Sequence, residues 1–69
     1  MIIPTYREID RDLMRRGFTK RPSKGSRYIY TNGEVTTCLP CKHMGDRPIN
    51  GLYKHICNQL GFEPGKGYE

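Results

Sequence analysis

Sixty-nine residues make one domain at most, and a chain of this size buries only roughly 60% of its unfolded surface, which leaves no room for the deep cleft of a large enzyme. The formal charge of +5 sits wholly in residues 1–31, where eight Lys and Arg face three acids, while four bases balance four acids from Asn32 onward. Any footprint for a polyanion therefore belongs to the first half, and no apolar run approaches the ~20 residues of a membrane span.

In chain order, Thr5-Tyr6-Arg7-Glu8 is a capping box, so a helix should begin there. Tyr6, Ile9 and Leu13 share one face, and Arg15-Arg16-Gly17 supplies cations and a left-handed stop, which places the helix at about Thr5 to Arg16. Arg7, Arg11 and Arg15 form a stripe on the opposite side. Phe18 to Arg21, halted by Pro22, is a brief or edge strand. Ser26 to Thr31 and Glu34 to Leu39 are rich in Tyr, Ile, Val and Thr and flank Asn32-Gly33, a hairpin signature. A two-residue turn would set Tyr30 opposite Val35, Tyr28 opposite Thr37 and Arg27 opposite Cys38, with Arg27 and Tyr28 on opposite faces.

Pro40 ends the third strand, and a Gly-, Asp- and Pro-containing loop runs from Cys41 to about Ile49. Leu52, Tyr53, Ile56, Cys57 and Leu60 then span an apolar arc of about 140° at 100° per residue. Asn50 is the expected cap of this second helix, and Gly61 the expected stop that folds Phe62 back on Ile56 or Cys57. Residues 1–62 form the domain, and residues 63–69, with two glycines and a proline, read as a flexible C-terminal tail. No internal repeat is present. The order predicts an α+β fold, αβββα, in which a three-stranded antiparallel sheet carries both helices on one face and leaves the other open.

Certain motifs, in this order, resemble the HicA-type mRNA interferase toxins, small proteins with a double-stranded-RNA-binding-like fold. They are "RRGF" closing the first helix, "KGSRYIY" opening the hairpin, "CLP" ending a strand, a nearby histidine, and "LYKHICNQLGF" as the second helix. Together they cover roughly Tyr6 to Phe62. The resemblance implies a catalytic histidine where this chain has Arg27, since the family segment usually reads Gly-Ser-His. It also implies RNA as substrate and a HicB-like antitoxin as partner. Imidazole, with a pKa of about 6.5, can take the proton of an RNA 2′-hydroxyl. A guanidinium, with a pKa above about 12, cannot, yet it can hold a phosphate with two parallel hydrogen bonds. The expectation is binding retained with endoribonuclease activity weakened or lost. His43 stands three residues after Pro40, where the family often has a histidine two residues after, and it is the one nearby candidate base.

Lys20, Arg21, Lys24, Gly25, Ser26, Arg27 and Tyr28 form the candidate RNA patch. The cations would draw in phosphates, the Gly25-Ser26 backbone could face one, and a tyrosine ring could stack on a base. The competing reading makes Tyr28 and Tyr30 core residues and the cations a solvated rim. The second helix offers Lys54 alone for clamping a duplex, which favours single-stranded or structured RNA. Cys38, Cys41, His43 and Cys57 are the one conceivable zinc set, but a single Cys-x-x-Cys favours three reduced thiols, and no cofactor is expected. Ser26 has no His-Asp partners, and no paired carboxylates suggest acid-base catalysis. Three cysteines, an odd number, and no signal-like leader point to a reducing cytoplasm. A second class fits the same residues: a small protein-binding inhibitor or adaptor, for example a phage-borne antagonist, using the open sheet, an edge strand and the arginine stripe.

Overall fold

The computed structural model of the chain describes residues 3–40 and 44–65. Helix α1 spans Tyr6–Arg15, strands β1 Thr19–Ser23, β2 Arg27–Thr31 and β3 Thr36–Pro40 follow, and helix α2 spans Asn50–Leu60. The strands form one antiparallel sheet in the order β1-β2-β3. This is the α+β arrangement predicted from the sequence.

Both helices lie on one face of the sheet. Tyr30 and Thr37 are cross-strand partners and so share a face. The Tyr30 hydroxyl donates to Asp10 of α1 at 2.6 Å, and the Thr37 hydroxyl donates to Gln59 of α2 at 2.8 Å. Between the layers, Ile9 and Leu13 of α1 meet Tyr30 and Leu39 of the sheet and Tyr53, Ile56 and Leu60 of α2, all buried. Burial of each such side chain contributes roughly 1.5–3 kcal/mol.

The capping box forms as the sequence predicts. The Glu8 amide donates to the Thr5 hydroxyl at 3.2 Å and the Thr5 amide donates to the Glu8 carboxylate at 2.8 Å. The next two free amides are met from the β3–α2 connection: Tyr6 donates to the Asp46 carbonyl and Arg7 to the Met44 carbonyl, each at 2.9 Å. All four amides at this helix end are thus satisfied.

The hairpin register differs from the two-residue turn by two positions. Tyr30 pairs with Thr37, Tyr28 with Leu39 and Arg27 with Pro40, leaving a four-residue loop, 32–35. The cause is Asn32, whose side-chain oxygen accepts from the Glu34 and Val35 amides at 2.9 and 3.0 Å and so builds an Asx turn. A type I′ turn needs two successive positive φ values, and in this loop only Gly33 has one. A shift of two residues preserves the faces, so the predicted split of Arg27 from Tyr28 stands.

Three further details depart from expectation. Ile49, with no side-chain hydrogen bond, is the N-cap of α2, and Asn50 is its first residue. Gly61 ends α2 as predicted, but the Phe62 ring meets Phe18 edge-on at 6.3 Å and lies under the Arg16 guanidinium at 4.2 Å. Where a loose tail was expected from Glu63, Pro64 and Gly65 are buried. Tyr53 donates its hydroxyl to the Pro64 carbonyl at 2.8 Å, and the Gly65 amide donates to Asp12 at 2.8 Å. Residues 66–69 of the expected tail lie outside the described residues.

Candidate nucleic-acid interface

Alternation along the strands sorts the candidate residues between two surfaces. Tyr28, Tyr30, Thr37 and Leu39 face the helices, so Arg27, Ile29, Thr31, Thr36, Cys38 and Pro40 face the other way. The β1 register adds Thr19, Arg21 and Ser23 to this open face. One row across the sheet reads Arg21, Ile29, Cys38, and the next reads Ser23, Arg27, Pro40. Arg21 and Arg27 are therefore diagonal neighbours, with α-carbons about 7–8 Å apart. None of the three strands contains an acidic residue.

The turn beyond this face is sharply bent. Gly25 and Ser26 have φ of +72° and +57°, and Ser26 is the sole non-glycine among the described residues in that region, one a side chain enters at some cost. Among the described residues, the Gly25 and Ser26 amides have no backbone partner. The side chains of Arg21, Lys24 and Arg27 are exposed and make no hydrogen bond or ion pair to other described residues. Arg27 is thus not locked into an internal carboxylate.

Lys20 and Tyr28 stand apart from that group. The Lys20 ammonium meets Asp10 at 3.0 Å and lies 4.8 Å over the Tyr28 ring, while Tyr28 packs edge-on against Tyr30 at 6.4 Å. Asp10 thus receives both the Lys20 ammonium and the Tyr30 hydroxyl. The patch of seven residues divides into Arg21 and Arg27 on the open face with Lys24, Gly25 and Ser26 in the adjoining turn, and a helix-side group of Lys20 and Tyr28. Asp10 was missed in the sequence, although it follows Ile9 on the border of the buried stripe of α1.

Comparison with protein-family models, curated proteins and solved structures finds no match. The HicA-type resemblance therefore rests on the motifs and their order.

Electrostatics link α1 to the arginine end of the sheet. Burial and the Asp46 carboxylate push the Tyr6 hydroxyl above its ordinary range, and the Arg27 charge opposes them. Tyr6, Asp46 and Arg27 thus occupy the same end of the molecule, where β2 begins and β3 ends. His43, the candidate base, lies outside the described residues with Cys41 and Lys42, whereas Met44 is tied to the Arg7 amide. Among the described residues no group of three His, Cys, Asp or Glu is placed to hold a metal ion. Cys38 is exposed on the open face and Cys57 packs against the core beneath the other, so the sheet separates two of the four residues in the zinc set. No helix among the described residues is long and apolar enough to cross a membrane.

Proposed function

We propose that this chain is an RNA-binding protein of the HicA-like kind that grips the phosphate backbone and cleaves it weakly or not at all. The observation that supports this reading is the exposed Arg27 guanidinium, unpaired among the described residues, on a sheet face whose strands carry no acid, diagonal to Arg21 and next to the turn that holds Lys24. A guanidinium matches a phosphate with paired donors, and Ser23, the cross-strand partner of Arg27, lies on the same face for a further contact with the backbone. Lys54 is the one lysine that α2 offers for clamping a duplex, which favours single-stranded or structured RNA. Strand cleavage needs a base near neutral pH, and a permanently protonated Arg27 cannot serve. In this reading the protein works in a reducing cytoplasm with its thiols free, and a HicB-like antitoxin would cover the same face.

The test is a gel assay of the full chain with labelled RNA, scored for both shift and cleavage. Arg27→Ala is expected to weaken binding and to lower the dependence of log affinity on log salt by about 1. Arg27→His is expected to create or raise cleavage. Unchanged RNA binding by Arg27→Ala at low salt refutes the reading, and brisk cleavage by the unaltered chain refutes the loss of activity.

A second reading, a protein-binding inhibitor or adaptor, is favoured by the exposed Arg7 and Arg11 on α1, remote from the open sheet face. It predicts a purified complex with an acidic protein that survives ribonuclease and is lost in Arg7→Glu/Arg11→Glu.

A further inference from the structure

Among the described residues, the open sheet face offers a nucleic-acid strand no ring to stack on. Tyr28 and Tyr30 are the only aromatic residues of the three strands, and both point to the helices. The Tyr28 ring is covered on one side by the Lys20 ammonium at 4.8 Å and meets Tyr30 edge-on. Tyr6, Phe18 and Tyr53 are buried, and Phe62 packs between Phe18 and the Arg16 guanidinium. Where a ring would serve, the centre of the open face carries Ile29 and Cys38.

At its arginine end the face presents donors. Arg21, Arg27 and, in the turn, Lys24 offer charged N–H groups, which cannot accept a hydrogen bond. The Gly25 and Ser26 amides add N–H groups that have no backbone partner among the described residues. Neither the strands nor residues 24–26 include Asn, Gln, Asp or Glu, the side chains that pair with the amino groups of adenine and cytosine. The threonines of the opposite row bond within the sheet and its loop: Thr19 donates to the Thr31 carbonyl, Thr31 to the Val35 carbonyl, and Thr36 to the Thr31 hydroxyl. A phosphodiester oxygen only accepts, so donors alone satisfy it. Every unpaired base also carries N–H donors, which such a surface leaves without partners.

We propose, resting on the RNA-binding reading above, that this face holds the phosphodiester backbone alone and is blind to base identity. A single strand lies with its phosphates toward Arg21, Lys24 and Arg27 and its bases turned outward, stacked on one another. One base stacked on a protein ring would be worth roughly 5- to 150-fold in affinity, so a surface that reads bases loses heavily when they are removed. Contacts to phosphate alone serve every strand alike and follow the salt concentration.

Fluorescence anisotropy of the full chain at low salt tests this with labelled strands of equal length. They are uridine, cytidine and adenosine homopolymers, a uridine strand with interspersed guanosines, and a thymidine strand with its abasic phosphodiester counterpart. Dissociation constants within a few-fold of one another are expected across the RNA strands. The abasic strand is expected to bind as the thymidine strand does, with the same dependence on salt. Arg27→Ala is expected to weaken every strand by the same factor. A preference of about tenfold or more for one base, or loss of binding when the bases are removed, overturns the proposal and leaves the RNA-binding reading standing. The same holds for RNA bound to the exclusion of the thymidine strand, or an Arg27→Ala effect confined to the guanosine-containing strand. No binding to any strand overturns both.

Discussion

Asp12 is fully buried, an unusual place for a carboxylate, and its partners explain how it is tolerated. One oxygen receives Arg15 at 3.1 Å and Arg16 at 3.2 Å, and the other receives the Gly65 amide at 2.8 Å. Burial pushes the Asp12 carboxyl up, but the Gly65 amide and the two guanidinium groups outweigh it and hold it below the ordinary carboxylate range. The Glu8 carboxyl is also lowered, by the Thr5 amide and hydroxyl. A proton therefore binds the unfolded chain more readily than the folded one. The stabilisation from these groups is complete above their unfolded values, about pH 4, and is lost as acid titrates them in the folded state. Asp12→Asn is expected to cost about 2 kcal/mol at neutral pH and to flatten the fall in stability in acid. Urea unfolding from neutral to acid pH checks both effects. In the sequence Asp12 reads as one of three acids in a basic half, because nothing local announces a partner 53 residues away.

At the scale of elements, legibility depended on how local each cause is. α1 was readable nearly to the residue because its capping box, apolar stripe and glycine stop all lie within the helix and its flanks. The strands were readable in number and order, and the hairpin was not readable in register. Asn-Gly supports a tight turn by backbone preference, but here the Asn32 side chain holds two amides and extends the loop to four residues. Asn32→Ala is expected to lower stability by about 1 kcal/mol through loss of those bonds, measured by thermal or urea unfolding. The α2 cap was misplaced by one residue because Asn50 makes no side-chain capping bond to reward it. Of the candidate site, Arg21 and Arg27 could be placed on one face by period-two alternation once both strands were assigned. The separation of Lys20 and Tyr28 from them follows the same rule, but the hold of Asp10 on Lys20 needed the docking of α1.

For the whole molecule, the sheet divides the work. One face is covered by helices and holds the core, while the other keeps hydroxyls and arginines free of acids, which is the basis of the proposed hold on RNA. The chain closes on itself at the far side of the core, where Gly65 abuts Pro4. A β-carbon at Gly65 would come within 2.8 Å of the Pro4 ring, and the φ of +84° there also favours glycine. Because the first and last described segments are stitched together by packing, their covalent order is dispensable. A permutant that bridges this seam with a short linker and opens the exposed loop between Gly33 and Glu34 is expected to fold with the same core. Circular dichroism and cooperative unfolding of that permutant would check this, and retained unfolding would mean that the architecture belongs to the contacts and is indifferent to where the ribosome starts.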